Sequence, residues 1–274
     1  VLLAHVLGKP RAWVLAHPET NLSPKQGRAL EKALRQLEDG VPLPYVLGKR
    51  EFFGLEFEVT PEVLIPRPET ELLVERAISW LRRRPTINRR AMDTKSAEAD
   101  WGMLRVLDVG TGSGCIAIAL AVNVPDVHII ATDISPIAID VARQNAKKLG
   151  VADRIEFFCC DLFPSQPTFD LRLSTFDLIV ANLPYIPTET LRGLRVYGRE
   201  PTLALDGGAD GLDIIRRLLV EAPRHLVPGG LILLEIEASQ GLSVLSLAYD
   251  AFAEVKISLH QDLAGKDRLV QIQL

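Results

Sequence analysis

Asn182-Leu183-Pro184-Tyr185 follows directly on the apolar run Phe176–Ala181 and sets a side-chain amide, a free backbone carbonyl and an aromatic ring side by side. Those groups suit the handling of a planar nitrogen. An amide or aromatic amine is a poor nucleophile, because its lone pair is delocalised into the adjoining π system. Acceptors for its two in-plane hydrogens would rotate or partly pyramidalise it and aim the lone pair at an electrophilic methyl. The Asn182 side-chain oxygen and the Leu183 carbonyl are candidate acceptors. Tyr185 can pack on the planar group and offer its ring face to a cationic centre, while Pro184 stiffens the turn. An N-alkylated amide cation is acidic enough to lose its proton to water, so no general base is demanded. Asn and Pro also form ordinary turns, and the tetrapeptide gains meaning only from what precedes it.

What precedes it is Val106–Leu120, a buried-strand pattern entering a glycine-rich turn and then an apolar helix. The turn, Gly110-Thr111-Gly112-Ser113-Gly114, lets a ligand approach the backbone, and the helix start behind it offers unpaired N–H groups. A dinucleotide fingerprint requires G-x-G-x-x-G/A, whereas here Cys115 holds the sixth position and glycine falls one place earlier, at Gly114. That spacing favours S-adenosylmethionine over NAD. The next predicted strand ends in Asp133, placed to accept from both hydroxyls of an unphosphorylated ribose. The third ends at Asp161-Leu162-Phe163, where a carboxylate and apolar groups could meet an adenine amine and ring edge. Strand-end aspartates often cap helices. Successive sites at the carboxyl ends of one sheet, with Asn182 closing the row, instead describe a nucleotide-type crevice.

Elements to position these residues are visible in the periodicity. Strands are expected at 105–109, 128–132, 155–159, 176–181, 231–236, 255–259 and 269–273, alternating with helical patterns until the last two, which should form an antiparallel edge hairpin. The fold class is therefore α/β, a seven-stranded doubly wound sheet of the class I methyltransferase, Rossmann-like type. Ahead of it, residues 1–45 carry helical periods and predict a small helical N-terminal domain, with Pro42 and Pro44 breaking the pattern. Residues 46–101 predict a linker: a hairpin around Gly54, a helix after Pro68, and a polar surface loop over 82–100. Residues 102–274 form the expected methyltransferase domain. Val1 opens directly inside an apolar helical pattern, which predicts that the first helix is truncated.

The 274 residues carry a net charge of −4, which disfavours broad binding to a phosphate backbone. No apolar run is long enough to span a bilayer. Cys115, Cys159 and Cys160 have neither metal-ligand spacing nor a disulfide framework, and are expected to be buried reduced thiols of a cytosolic protein. No metal site is expected.

Over essentially its whole length the chain resembles the HemK-type protein-glutamine N5-methyltransferases. The resemblance rests on Val63–Glu71, Val106–Gly114, Asp133–Pro136, Asn182–Pro187, Glu200–Gly208 with Asp210–Asp213, and Asp262–Gly265 with Asp267-Arg268. It implies a cytoplasmic, monomeric enzyme that uses S-adenosylmethionine to methylate the glutamine of the Gly-Gly-Gln loop in class 1 peptide-chain release factors, docking them in part through the helical domain. It further implies that Gly110–Gly114, Asp133, Asp161, Leu162 and Asn182 contact the cofactor, that Asn182–Tyr185 hold the glutamine, and that Arg67 and Glu69 line the pocket. Two positions depart from the family pattern: Leu183 stands where proline is usual, and Glu237 where glycine is usual, which predicts a crowded or recharged pocket rim. The main alternative is an N6-adenine methyltransferase for RNA or DNA, since adenine presents the same planar NH₂. It would want a basic recognition region, and the densest basic run is Arg82–Arg84 with Arg89-Arg90. A non-catalytic adenosylmethionine-binding module would not need the Asn182 amide.

Overall fold

The computed structural model describes residues 1–84, 103–164, 175–252 and 255–274. Helices α1 (Leu2–Leu7), α2 (Arg11–Ala16) and α3 (Pro24–Glu38) come first, followed by α4 (Leu43–Leu47). A capping box starts α3: the Gln26 N–H donates to Ser23 Oγ, and the Ser23 N–H donates to Gln26 Oε1. Helix α4 departs from the expectation that Pro42 and Pro44 end regular structure. They occupy the N-cap and first turn, where no backbone N–H is needed, and so begin a helix. Strands β1 (Lys49–Phe52) and β2 (Leu55–Glu58) form the expected antiparallel hairpin. Helix α5 (Glu71–Arg83) runs through Arg82 and Arg83, which were expected in the polar loop; basic residues are good helix formers and favour a last turn. The remainder of that loop, including Arg89-Arg90, lies outside the described residues.

Among the described residues seven strands then form one sheet: β3 (Leu104–Val109), β4 (Val127–Asp133), β5 (Ile155–Cys159), β6 (Phe176–Ala181), β7 (Leu226–Glu235), β8 (Lys256–Gln261) and β9 (Asp267–Gln273), in the order β5-β4-β3-β6-β7-β9-β8. The first five are parallel, and β9 enters antiparallel between β7 and the edge strand β8. Helices α6 (Cys115–Asn123), α7 (Pro136–Lys148), α8 (Thr188–Arg192), α9 (Asp213–Glu221) and α10 (Gly241–Ala251) fill the connections. Side chains alternate between two cores. Val106, Ile129, Leu178 and Leu231 pack on one face with α5, α6 and the hairpin's Phe52 and Phe57. Leu107, Ile130, Ile179 and Ile232 pack on the other with α9 and α10. Strands buried on both faces read as continuous apolar runs, which is why the sequence marks them clearly. No helix among the described residues is long and apolar enough to cross a membrane.

Candidate active site

Sheet register brings the chemistry together. Val109 pairs with Thr132 on one side and Ala181 on the other, and Ala181 pairs with Leu234. The next residue of each strand is Gly110, Asp133, Asn182 or Glu235, so one row at the carboxyl edge carries all four. The strand order reverses between β3 and β6, and a crevice opens at such a switch point. A cavity of about 310 Å³ occupies it, lined by Gly110, Gly112, Asp133, Asp161, Leu162, Asn182, Leu183 and Pro184 among others. Thr111, Ser113, Gly114 and Tyr185 are not in its lining.

The glycine loop has two faces. A Cβ on Gly112 would meet nothing within 4 Å, leaving its backbone open to a ligand. A Cβ on Gly114, at φ 82°, would lie 2.9 Å from Ile118 Cδ1 and 3.1 Å from Ala142 Cβ, so this glycine serves helix packing. Asp133 is fixed by two backbone donors, Gly112 N–H to Oδ2 and Ser135 N–H to Oδ1, both at 2.9 Å. Each oxygen retains accepting capacity toward the cavity. Burial pushes its pKa up, against the pull of those N–H groups. Behind the loop, fully buried Asp108 accepts from the Thr111 hydroxyl at 2.7 Å and the Ala117 N–H at 3.1 Å, and burial pushes its carboxyl up to about 7. Buried Asn145 joins the loop to the hairpin: its Nδ2 donates to Ser113 O and Glu58 O, and its Oδ1 accepts from Glu58 N–H at 2.7 Å.

Asn182 is held by Thr70. Its Nδ2 donates to Thr70 Oγ1 at 3.0 Å, and the Thr70 side chain also acts on the Glu235 carboxyl, drawing its pKa down. With its NH₂ on Thr70, the Asn182 amide leaves its side-chain oxygen to accept from another partner. No described residue donates to the Asn182 side-chain oxygen. The Tyr185 hydroxyl reaches Glu235 Oε1 at 3.5 Å, and burial raises the Tyr185 pKa. Burial also pushes the Glu235 carboxyl up to about 7, against the pull of the Thr70 side chain. Gln240 Nε2 donates to Tyr185 O at 2.8 Å and fixes the backbone after the tetrapeptide. Sequence reading missed Thr70, Asn145, Glu235 and Gln240 as members of the site. The row Val109–Ala181–Leu234 points to Glu235 once the strands are aligned, but nothing local marks Thr70 or Asn145.

Of the other expected residues, Asp161 and Leu162 line the cavity, whereas Arg67, Glu69 and Glu237 do not. Asp161 faces the cavity with one oxygen committed to Arg217 at 2.6 Å. Arg67 bonds buried Glu200 at 2.5 Å and lines a separate groove, and exposed Glu69 acts on Tyr185 and Glu235 through its charge. Glu237 caps a turn, accepting from the Ser239 N–H at 2.7 Å and from its hydroxyl, and it is absent from the cavity lining. Cys159, the last residue of the edge strand β5, is exposed rather than buried, and Cys115 and Cys160 are half-buried.

Residues 102–256 match a methyltransferase domain, and residues 1–48 match a PrmC N-terminal domain. A release factor glutamine methyltransferase of Cereibacter sphaeroides is 40% identical, covering 100% of this chain and 89% of the relative. One from Moorella thermoacetica is 42% identical over 98% and 87%. Among solved structures, the hMettl16 catalytic domain in complex with MAT2A 3′UTR hairpin 1 has a TM-score of 0.58 at 15% identity, over 84% of this chain and 78% of that one. A methyltransferase from Pyrococcus furiosus has a TM-score of 0.52 at 18% identity, over 92% and 98%. These structural likenesses speak to fold alone.

Proposed function

The chain belongs to the release factor glutamine methyltransferase family, and from that premise we propose that it methylates the side-chain amide nitrogen of the glutamine in the Gly-Gly-Gln loop of a class 1 peptide-chain release factor, with S-adenosylmethionine as donor. The carrying observation is the orientation of Asn182, whose NH₂ is committed to Thr70 and whose oxygen is left to accept. A nucleoside-type donor suits the cleft: the bare Gly112 backbone admits close approach, and Asp133 offers fixed acceptors for a ribose diol.

Bound there, S-adenosylmethionine supplies an electrophilic methyl on a sulfonium. The protein's part is to bind and orient. Asp133 would hold the ribose, the backbone at Gly110 and Gly112 would pack along the donor, and Asp161 and Leu162 would border the base. Asn182 Oδ1 and the Leu183 carbonyl accept the two hydrogens of the glutamine amide, with Pro184 and Tyr185 closing the pocket around it. Leu183 in place of proline keeps this backbone acceptor, and its side chain packs over Gly110. Most of the acceleration comes from this positioning. Arg67 anchors the loop that carries Thr70, and Glu69 lies beside the amide site. Residues 1–45 serve as a docking unit for the release factor, 46–101 as the linker and 102–274 as the catalytic domain. Acting on a translation factor, the enzyme would work in the cytoplasm.

The test is methyl transfer from labelled S-adenosylmethionine to a purified release factor, beside its Gln→Ala variant in the Gly-Gly-Gln loop and a nucleic-acid control. Label on the intact factor and none on the variant is the expected result. Label on nucleic acid alone would replace this reading with adenine methylation.

A further inference from the structure

A second groove runs between the N-terminal helices and the loop leading to Thr70. Pro42 and Pro66 wall it, and four arginines, Arg50, Arg67, Arg195 and Arg199, line it. Glu200 is the sole acidic residue of the lining, and its carboxylate is already taken: it accepts from Arg67 at 2.5 Å and from the Ile65 N–H at 3.2 Å. Arg50, Arg195 and Arg199 have no anionic partner among the described residues. Arg50 is half-buried, and its Nε is shut off from solvent without a hydrogen-bond acceptor. Burying a cationic N–H without a counter-charge is costly. The Arg199 guanidinium lies against the backbone of Gly40, where a Cβ would come within 2.8 Å of Cζ, and so reaches the helical unit. In a chain of net charge −4, this is a local concentration of unneutralised positive charge.

We propose that this groove docks an acidic segment of the protein substrate, a run of Asp and Glu side chains outside the methylated loop; the proposal rests on the release-factor reading above. Guanidinium forks match carboxylates in pairs, so several arginines converging on one cleft suit a carboxylate-bearing strand of chain. Arg67 ties the groove to the reaction, because it lies three residues before Thr70, the residue that orients Asn182. A substrate segment held here therefore approaches the amide site along one continuous loop. Nucleic acid is the lesser fit: a phosphate backbone calls for an extended basic track, whereas this positive charge is confined to a proline-walled groove on an acidic protein.

The experiment measures steady-state methylation of a purified release factor by the full chain, by Arg195→Glu/Arg199→Glu, and by Arg195→Lys/Arg199→Lys. Both arginines are exposed, so the reversals leave the core intact. The double reversal is expected to raise KM for the release factor about tenfold, with the loss in KM rather than kcat, and the lysine pair to restore most of it. KM of the native chain should rise with ionic strength, and that of the reversed variant should rise less. Native KM and salt dependence in the reversed variant would overturn the docking inference while native turnover upholds the methyltransferase reading. Binding of a labelled single-stranded RNA that the reversal abolishes, with KM for the factor unchanged, would overturn it in favour of nucleic acid. No methylation of any release factor by the native chain would remove the reading on which the inference stands.

Discussion

Asn182 carries one donor group and one acceptor on the same side chain, and Thr70 decides which of them faces the cleft. The Thr70 side chain also acts on the buried Glu235 carboxyl. This relay makes a graded prediction. Asn182→Ala removes the acceptor and should lower kcat by about 10³-fold, the scale of losing one preorganised hydrogen-bonding group in a catalytic site. Cofactor affinity should change by less than about tenfold, because the Asp133 and glycine-loop contacts remain. Thr70→Val keeps the shape and only frees the amide to turn, so a loss of about 10-fold is expected. Steady-state kinetics with calorimetric cofactor titration separates the two effects, and near-native turnover of Asn182→Ala would mean that another group holds the substrate amide. Asp133→Ala should do the converse, weakening the cofactor Kd by about 10- to 100-fold as two charge-assisted bonds are lost; an unchanged Kd would remove Asp133 from the ribose site. Asn182 and Asp133 were legible in the sequence because each ends a strong apolar strand. Thr70 was not, since it stands 112 residues from Asn182 and its role exists only in the folded chain.

At the scale of elements, the glycine loop depends on one asparagine for its connection to the hairpin. Asn145 on α7 is fully buried and bonds Ser113 O on one side and both backbone groups of Glu58 on the other. Truncation leaves the Glu58 N–H and two carbonyls without these partners, so Asn145→Ala should cost about 2–4 kcal/mol. Because the loop loses its brace, cofactor affinity should fall as well. Urea unfolding checks the first effect and calorimetry the second; a variant as stable as the native chain would show that water replaces the lost bonds. The elements themselves were visible to different degrees. All seven sheet strands were legible: the central β3, β4, β6 and β7 because two-sided burial demands continuous β-branched and apolar runs, though β7 begins at Leu226, ahead of its expected start, and the less buried β5, β8 and β9 by shorter apolar stretches. Helix α4 was not, because Pro42 and Pro44 read as breakers until they are seen at a helix start. The Asn145 brace was hidden for the same reason as Thr70: a polar residue inside an amphipathic helix gives no sign of a partner on a distant hairpin.

The whole molecule buries two carboxyls at the carboxyl edge of its sheet, and this has a consequence for stability. Asp108 and Glu235 are 0% and 3% exposed, and burial lifts both to about 7, from ordinary values of 3.8 and 4.5. Between those ordinary values and 7, the folded chain holds protons that the unfolded chain has released. Stability therefore falls as pH rises through this window and levels off above it, by a total on the order of a few kcal/mol. Carboxyls held low by hydrogen bonds, such as Asp206 and Asp262, act in the opposite sense, but only below their ordinary range. His260, lowered by burial, also acts in the opposite sense, near its ordinary value of 6.5. Urea titrations at pH 5 and pH 8 should thus find the protein more stable at the lower pH. Asp108→Asn with Glu235→Gln should flatten the difference, because neither replacement ionises. A native profile that is flat across the window would mean that both carboxyls stay ionised in the fold. The unpartnered Oε2 of Glu235 and Oδ1 of Asp108 would then have to be solvated from the cleft, making water a structural component of the same edge that carries Asn182 and Asp133.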